Sequence, residues 1–385
     1  MKRIPYGRQS ITQEDIDTVV ECLQSDFLTT GPLVGKFERN FAEYVDAKYA
    51  VAVSNGTAAL HLCAMALGVN ESSNVITSPI TFSASANCVR YCGGRVHFAD
   101  IHADTVTPNI EAVRKLLAAH PKNYFSGIIP VDLAGYPVNL EEFRQLADEH
   151  NLWIIEDACH APGGWFKDSS GLKQHCGNGK YADLAIFSFH PVKHIACGEG
   201  GMVTTNNEEL YKRIKRLRSH GMVYQGEPEL IENHGKWYME LQELGYNYRI
   251  PDILCALGIS QLSKAEEGLK RRREIARKYD EAFESKIRTY SGSKDVAGHA
   301  YHLYIIQSDN RKMLYDKLRE VGIYAQIHYI PLHTMPYYKA QDVEYQNLSV
   351  SENYYEKCLS LPMYPTLTNE EQDYVIEMIL KHTDG

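Results

Sequence analysis

Short apolar runs alternate with amphipathic stretches through the first two-thirds of the chain. Tyr49–Val53, Asn74–Thr77, Arg95–Ala99, Gly127–Val131, Leu152–Glu156, Leu184–Phe187 and Gly201–Thr204 read as strands. Between several of them, Ala58–Leu67, Ile110–Ala119 and Asn139–His150 have helical spacing. Strands rich in Val and Ile, spaced by helices, predict an α/β fold: a mostly parallel seven-stranded sheet covered on both faces. The final third changes character. One long helical pattern, Ile253 to about Phe283, is dense in Lys, Arg and Glu and is expected to link two domains. Beyond it, Tyr301–Gln307 and Tyr324–Tyr329 read as strands, and Arg311–Val321 and Asn369–Lys381 as helices. This predicts a smaller α+β domain. The expected division is a large domain over 13–250 and a small one over 251–385, with 1–12 packing near the latter.

Composition narrows the function. The chain has 385 residues, 44% of them hydrophobic, which suffices for a large core. A net charge of −9 argues against a nucleic-acid or anionic-membrane surface, although a local pocket could still take an anion. No apolar run approaches the ~20 residues that span a bilayer. The polar start, Met1 to Thr12, carries no apolar signal core, so a cytoplasmic protein is expected. Nine cysteines are scattered, and only Cys88 and Cys92 sit close, with no matching second pair. Free buried thiols are expected, and no metal site.

Ligands of parallel sheets gather at the carboxyl ends of strands, and three of those ends carry unusual residues. Ser54-Asn55-Gly56-Thr57 follows a strand and opens a helix, where backbone N–H groups and the positive end of the dipole suit a phosphate. An ordinary turn with a helix cap reads equally well. The usual dinucleotide and P-loop glycine patterns are absent. Asp157 ends the buried run Ile154-Ile155-Glu156, so its carboxylate needs a partner. A protonated pyridine nitrogen would serve, as would an Arg or the N-terminus of the next helix. Lys193 sits in Ser188-Phe189-His190-Pro191-Val192-Lys193-His194, after a strand and before Gly198-Glu199-Gly200-Gly201, which returns at once to the next strand. A lysine in such a loop, folded against a sheet, is expected to have a lowered pKa and to serve as an amine nucleophile.

The order of these pieces, phosphate-type turn, strand-end aspartate, then lysine, is that of pyridoxal 5′-phosphate (PLP) enzymes of the aspartate-aminotransferase fold (fold type I). With Pro79-Ile80-Thr81-Phe82, Glu156-Asp157-Ala158, Arg218-Ser219-His220-Gly221, Gly245-Tyr246-Asn247-Tyr248-Arg249 and Leu361-Pro362-Met363-Tyr364-Pro365, the chain resembles the DegT/DnrJ/EryC1/StrS sugar aminotransferases over nearly its full length. That resemblance implies roles. Lys193 would hold PLP as an imine and move the proton, and Asp157 would pair with the pyridinium nitrogen. Gly56, Thr57 and Ser188 would hold the phosphate, Phe82 would stack on the ring, and His160 would sit beside the cofactor. Asn247 would reach the cofactor of a neighbouring subunit, making the active unit a homodimer. Cys159 stands where a smaller or oxygen-bearing side chain is expected. Lysine rather than histidine at 193 favours amination over the dehydration performed by one branch of the family.

The segments Ile4–Ile11, Ser25–Pro32, Val131–Gly135 and Gln326–Pro331 resemble the pseudaminic-acid branch. Its members aminate C4 of a UDP-linked 4-keto-6-deoxy-N-acetylhexosamine with L-glutamate as donor. By that resemblance Tyr6, Thr29, His328 and Tyr329 are candidate sugar-nucleotide contacts, although Tyr and His there could equally pack a small domain. Other 4-keto-sugar transaminases, of bacillosamine or perosamine type, share the motifs, and a non-catalytic PLP- or sugar-nucleotide-binding sensor is a further alternative.

Overall fold

The computed structural model describes residues 3–224, 235–290, 298–341 and 346–383. Seven strands form one sheet in the order Tyr49–Val53, Gly201–Thr205, Leu184–Ser188, Trp153–Asp157, Gly127–Ile129, Asn74–Thr77 and Arg95–Phe98. Gly201–Thr205 runs antiparallel to both its neighbours, and the remaining pairs are parallel. This is the mostly parallel seven-stranded sheet that the apolar runs predict, with ends shifted by a residue or two. Successive side chains go to opposite faces. Ile155 and Ile186 therefore join one core with Val51, Ile129 and Val203. On the opposite face Ile154 packs with Ile76 and Ile128, and Phe187 with Phe37 and Phe41.

The expected single helix from Ile253 to Phe283 is instead two, Asp252–Ser263 and Ala265–Phe283. Lys264, between them, leaves helical geometry (φ −111°, ψ 12°). One local bond and a long-range tether accompany the break. Ser263 Oγ donates to the Ser260 carbonyl at 2.7 Å, a bond that competes with the helix. Lys264 Nζ is tied to Asp15 and to Thr12 Oγ1, holding the Gln13–Leu23 helix against this corner.

Two expected strands are also shorter. Tyr301–Gln307 forms a ladder only over Tyr304–Gln307, antiparallel to Cys358–Leu361. Its first residues are diverted because buried Arg272 donates to the carbonyls of Tyr301, His302 and Met363 at 3.2, 3.3 and 3.0 Å. Of Tyr324–Tyr329, only Tyr324 lies in a strand, Ile323–Tyr324, which pairs parallel with Ile4–Pro5. The continuation leaves the ladder after a single bridge, Gln326 with Ser360, and carries His328 and Tyr329 to the sheet's cavity. Helices Ala265–Phe283, Arg311–Glu320 and Asn369–Thr383 cover these strands through Ile275, Tyr279, Leu314, Val375 and Ile379, a core that Ile4 joins. Among the described residues no helix is long and apolar enough to cross a membrane.

Candidate active site

At the carboxyl ends of Tyr49–Val53, Trp153–Asp157 and Leu184–Ser188 the sheet opens into a cavity of about 700 Å³. It brings together Tyr6, Gly56, Thr57, Phe82, Asp157, His160, Ser188, Lys193, His328 and Tyr329. Thr29 and Asn247 are exposed and do not line it; Asn247 instead bridges Ser219 at the surface.

The phosphate-type turn is both a cap and a cradle. Asn55, extended at φ −170°, accepts from the Ala58 N–H at 2.8 Å and so starts the Gly56–Ala66 helix. The first N–H groups of a helix have no partner within it, and here they open toward the cavity. A Cβ on Gly56 would stand 3.0 Å from Ser188 Cβ and 3.4 Å from Ser188 Oγ, so a side chain there would crowd the hydroxyl that lines the same cradle. Gly201, entering from the antiparallel strand, is held tighter still. A Cβ on it would lie 2.5 Å from the Asn55 carbonyl oxygen.

Lys193 is carried on a loop tied back to the sheet. Phe189 N–H donates to Gly200 O, Cys197 N–H to Phe189 O and Lys193 N–H to His190 O, each at 2.8 Å. Burial lowers the Lys193 ammonium's pKa, opposed by the nearby Cys159 and Asp157. Burial disfavours the charged form, which makes the neutral amine accessible at lower pH than for an exposed lysine.

Asp157 is 5% exposed. Its Oδ2 accepts from Ser85 Oγ at 2.6 Å and its Oδ1 from the Cys159 N–H at 3.2 Å. Both partners are neutral, which suits a carboxylate waiting for a cation. Ser85 belongs to the Ala84–Tyr91 helix and is bonded to Thr81 Oγ1 at 2.8 Å. Because Ser85 gives its proton to Asp157, Thr81 donates to Ser85.

His160 Nδ1 accepts from the Ala134 N–H at 3.2 Å, which puts the ring proton on Nε2. Nε2 lies 3.4 Å from Tyr329 Oη. Burial first, then Lys193, His328 and His194, hold the imidazole well below its usual pKa, so it is neutral. The His302 ring lies 4.2 Å away. On the outer side Phe82 is 60% exposed and 6.3 Å from the Tyr329 ring. Tyr6 packs 5.1 Å from His328, whose Nδ1 meets Ser360 Oγ at 2.9 Å. Burial moves the Tyr6 phenol up and His328 down to about 3.

Sequence reasoning missed Ser85, Tyr91, Glu199 and Tyr248, which also line the cavity. For Ser85 a signal was available, since it lies one helical turn beyond Thr81 in the quoted motif. The thiol of Cys159 lies in the cavity lining, 3.5 Å from where a Gly56 Cβ would be. Burial raises its pKa well above the usual range, which keeps it protonated.

The model of the DegT/DnrJ/EryC1/StrS aminotransferase family matches residues 9–380. The chain belongs to that family. Among curated relatives, the UDP-4-amino-4,6-dideoxy-N-acetyl-β-L-altrosamine transaminase of Campylobacter jejuni subsp. jejuni serotype O:2 is 37% identical, over 97% of this chain and 95% of its own. The GDP-perosamine synthase of Escherichia coli O157:H7 is 33% identical, over 98% of each. Among solved structures, Helicobacter pylori PseC, an aminotransferase of pseudaminic acid biosynthesis, superposes with a TM-score of 0.88 at 29% identity, covering 100% of both chains. Spr1654 of Streptococcus pneumoniae in its PLP form gives 0.88 at 28%, over 100% and 99%. This DegT/DnrJ/EryC1/StrS member is thus a PLP-dependent sugar-nucleotide aminotransferase of the aspartate-aminotransferase fold. The cavity fits the cofactor: the Gly56–Ser188 cradle accepts a phosphate, and the neutral-partnered Asp157 accepts a ring cation.

Proposed function

We propose that the enzyme moves an amino group from L-glutamate to C4 of a UDP-linked 4-keto-6-deoxy-N-acetylhexosamine, giving UDP-4-amino-4,6-dideoxy-N-acetyl-β-L-altrosamine for pseudaminic acid biosynthesis. The observation that carries amination is a lysine amine with a lowered pKa facing the same cavity as a strand-end aspartate and a helix N-terminus. Support for this sugar comes from the Campylobacter relative and from PseC.

In this reading Gly56, Thr57 and Ser188 bind the PLP phosphate, Phe82 covers the ring, and Asp157 keeps the ring nitrogen protonated. Bound PLP supplies an electron-withdrawing ring that accepts the charge left when a carbon beside the transferred nitrogen loses its proton. Lys193, once its amine is free, takes that proton and returns it, as base and then acid. His160, neutral and donating through Nε2, orients groups beside Asp157 without competing for the proton. Tyr6, His328 and Tyr329 face the sugar-nucleotide, and Thr29, exposed and outside the cavity lining, is a further contact in the same reading.

The active unit is read as a homodimer. Asn247, exposed and outside its own cavity, would extend toward the partner's cofactor. The exposed Tyr91, Leu244 and Tyr246 would be covered in that contact. A large unit over 13–250 and a smaller one over 251–385, with 1–12 beside the latter, belong to the same reading, as does a cytoplasmic location, in keeping with nine free cysteines.

The perosamine relative favours one competing substrate, a GDP-linked 4-keto-sugar. Turnover of the PLP-loaded enzyme with a panel of 4-keto UDP- and GDP-sugars, reading the C4 configuration of each product, decides between them. Preference for a GDP-sugar, or the other C4 epimer, would overturn the proposed substrate.

A further inference from the structure

Adjacent residues on a strand point to opposite faces, so Glu156 leaves the sheet on the side away from Asp157. There it meets Asp132 and Cys176. These three are 2%, 1% and 2% exposed, and their polar atoms lie within 4.8 Å of one another. Both oxygens of Glu156 share one donor, the Gly177 N–H, at 3.0 and 2.9 Å. Asp132 Oδ1 accepts from the Val138 N–H at 2.8 Å, while Oδ2 has no N–H or O–H partner among the described residues. Two buried carboxyls therefore divide two backbone donors and the weak Cys176 thiol donor between them, and none of these is a cation. Two full negative charges so placed would repel each other without water to screen them. A proton between them removes one charge and supplies the donor that Oδ2 lacks.

We propose that Asp132 and Glu156 share a single proton at neutral pH and act as a positioning pair for Asp157. The link to Asp157 is short. The Asp132 N–H donates to the Asp157 carbonyl at 3.1 Å, and Glu156 precedes Asp157 on the strand. With one proton in the pair, one negative charge rather than two stands beside the Asp157 carboxylate. Among the described residues the titratable groups near the pair are Asp157 and the Cys176 and Cys159 thiols, both thiols raised well above their usual value by burial. Burial, joined by the neighbouring carboxyls, raises Glu156 well above the carboxylate range, and burial carries Asp132 up to about 7. The role of Asp157 rests on the function proposed above, whereas the proton is measured without turnover.

The test is infrared difference spectroscopy of the PLP-loaded enzyme in water and heavy water, at neutral pH, with wild type and Glu156→Gln. Wild type should show the carbonyl stretch of a buried protonated carboxyl, and Glu156→Gln, whose amide takes the place of the protonated acid, should lose it. A raised folded-state pKa favours the fold at low pH, and that benefit is lost as pH rises through it. The wild-type melting temperature should therefore fall as pH rises from about 4, where an unfolded carboxyl titrates, toward about 7, and the fall should be smaller in Glu156→Gln. If Glu156→Gln does not fold, the wild-type band and its loss on raising pH decide alone. No such band at neutral pH overturns the proposal. So does a divalent metal that co-purifies at one per chain and whose chelation lowers the melting temperature.

Discussion

Ser85 Oγ donates a 2.6 Å hydrogen bond to Asp157 Oδ2, fixing from a neighbouring helix the carboxylate that faces the cavity. Ser85→Ala removes the side-chain member of its two donors. A hydrogen bond to a charged group contributes about 1.5–3 kcal/mol, so PLP affinity should weaken by about 10- to 150-fold. Titration of the apo-protein with PLP, followed by its visible absorbance, measures this. Unchanged affinity would mean that the bond does not serve the cofactor.

Lys193→Ala should lower amino transfer by at least ~10²–10⁴-fold, the contribution typical of a positioned acid–base group. It should also lose the visible absorbance that bleaches on adding L-glutamate to wild type. Retained absorbance with retained bleaching would place the reactive amine elsewhere.

The lowered Lys193 pKa has a calculable sign in the apo-protein. Between the folded value and the unfolded one the unfolded chain binds more protons, so stability rises with pH over that window. Lys193→Met should remove this rise and make the apo-protein more stable than wild type at neutral pH. Parallel melting-temperature profiles for the two would show the wild-type ammonium to be well solvated.

His160 should remain a neutral Nε2–H imidazole across about pH 5 to 8, where an ordinary histidine titrates. Nitrogen NMR of labelled protein reads both the charge and the tautomer. An imidazolium signal in that range would contradict the Ala134 bond as the fixing contact.

Mixing Asn247→Ala and Lys193→Ala subunits tests the shared site. If Asn247 serves the partner's cofactor, hybrids should recover part of the activity that neither variant has in full. A hybrid isolated by two affinity tags but no more active than its parents would count against sharing.

Much of this was legible because the sheet announces itself: Ile154-Ile155 and Leu184–Phe187 are apolar on both faces, as a covered parallel sheet requires. Strand ends then located Asp157, Ser188 and the turn at Gly56, while Lys193 follows the end at Ser188. What stayed hidden depends on contacts remote in sequence. Nothing near residue 264 reveals that Asp15 would hold its ammonium, so one helix was expected where two occur. Nor does periodicity show that Arg272 takes the Tyr301 and His302 carbonyls from a strand. Ser85 lies close to Thr81 in sequence, but its bond to Asp157 spans 72 positions and shows only when the helix that bears it is laid against that strand end.

The Arg272 contacts carry a consequence for how substrate preference can drift among relatives. One guanidinium fastens Tyr301, His302 and Met363, and the Met363 N–H in turn holds the Tyr6 carbonyl at 2.9 Å. The backbone behind Tyr6 and beside His302 is thus a single fixture, hard to move by small steps. Evolution toward another sugar would proceed by exchanging the side chains that project from it, leaving the frame in place.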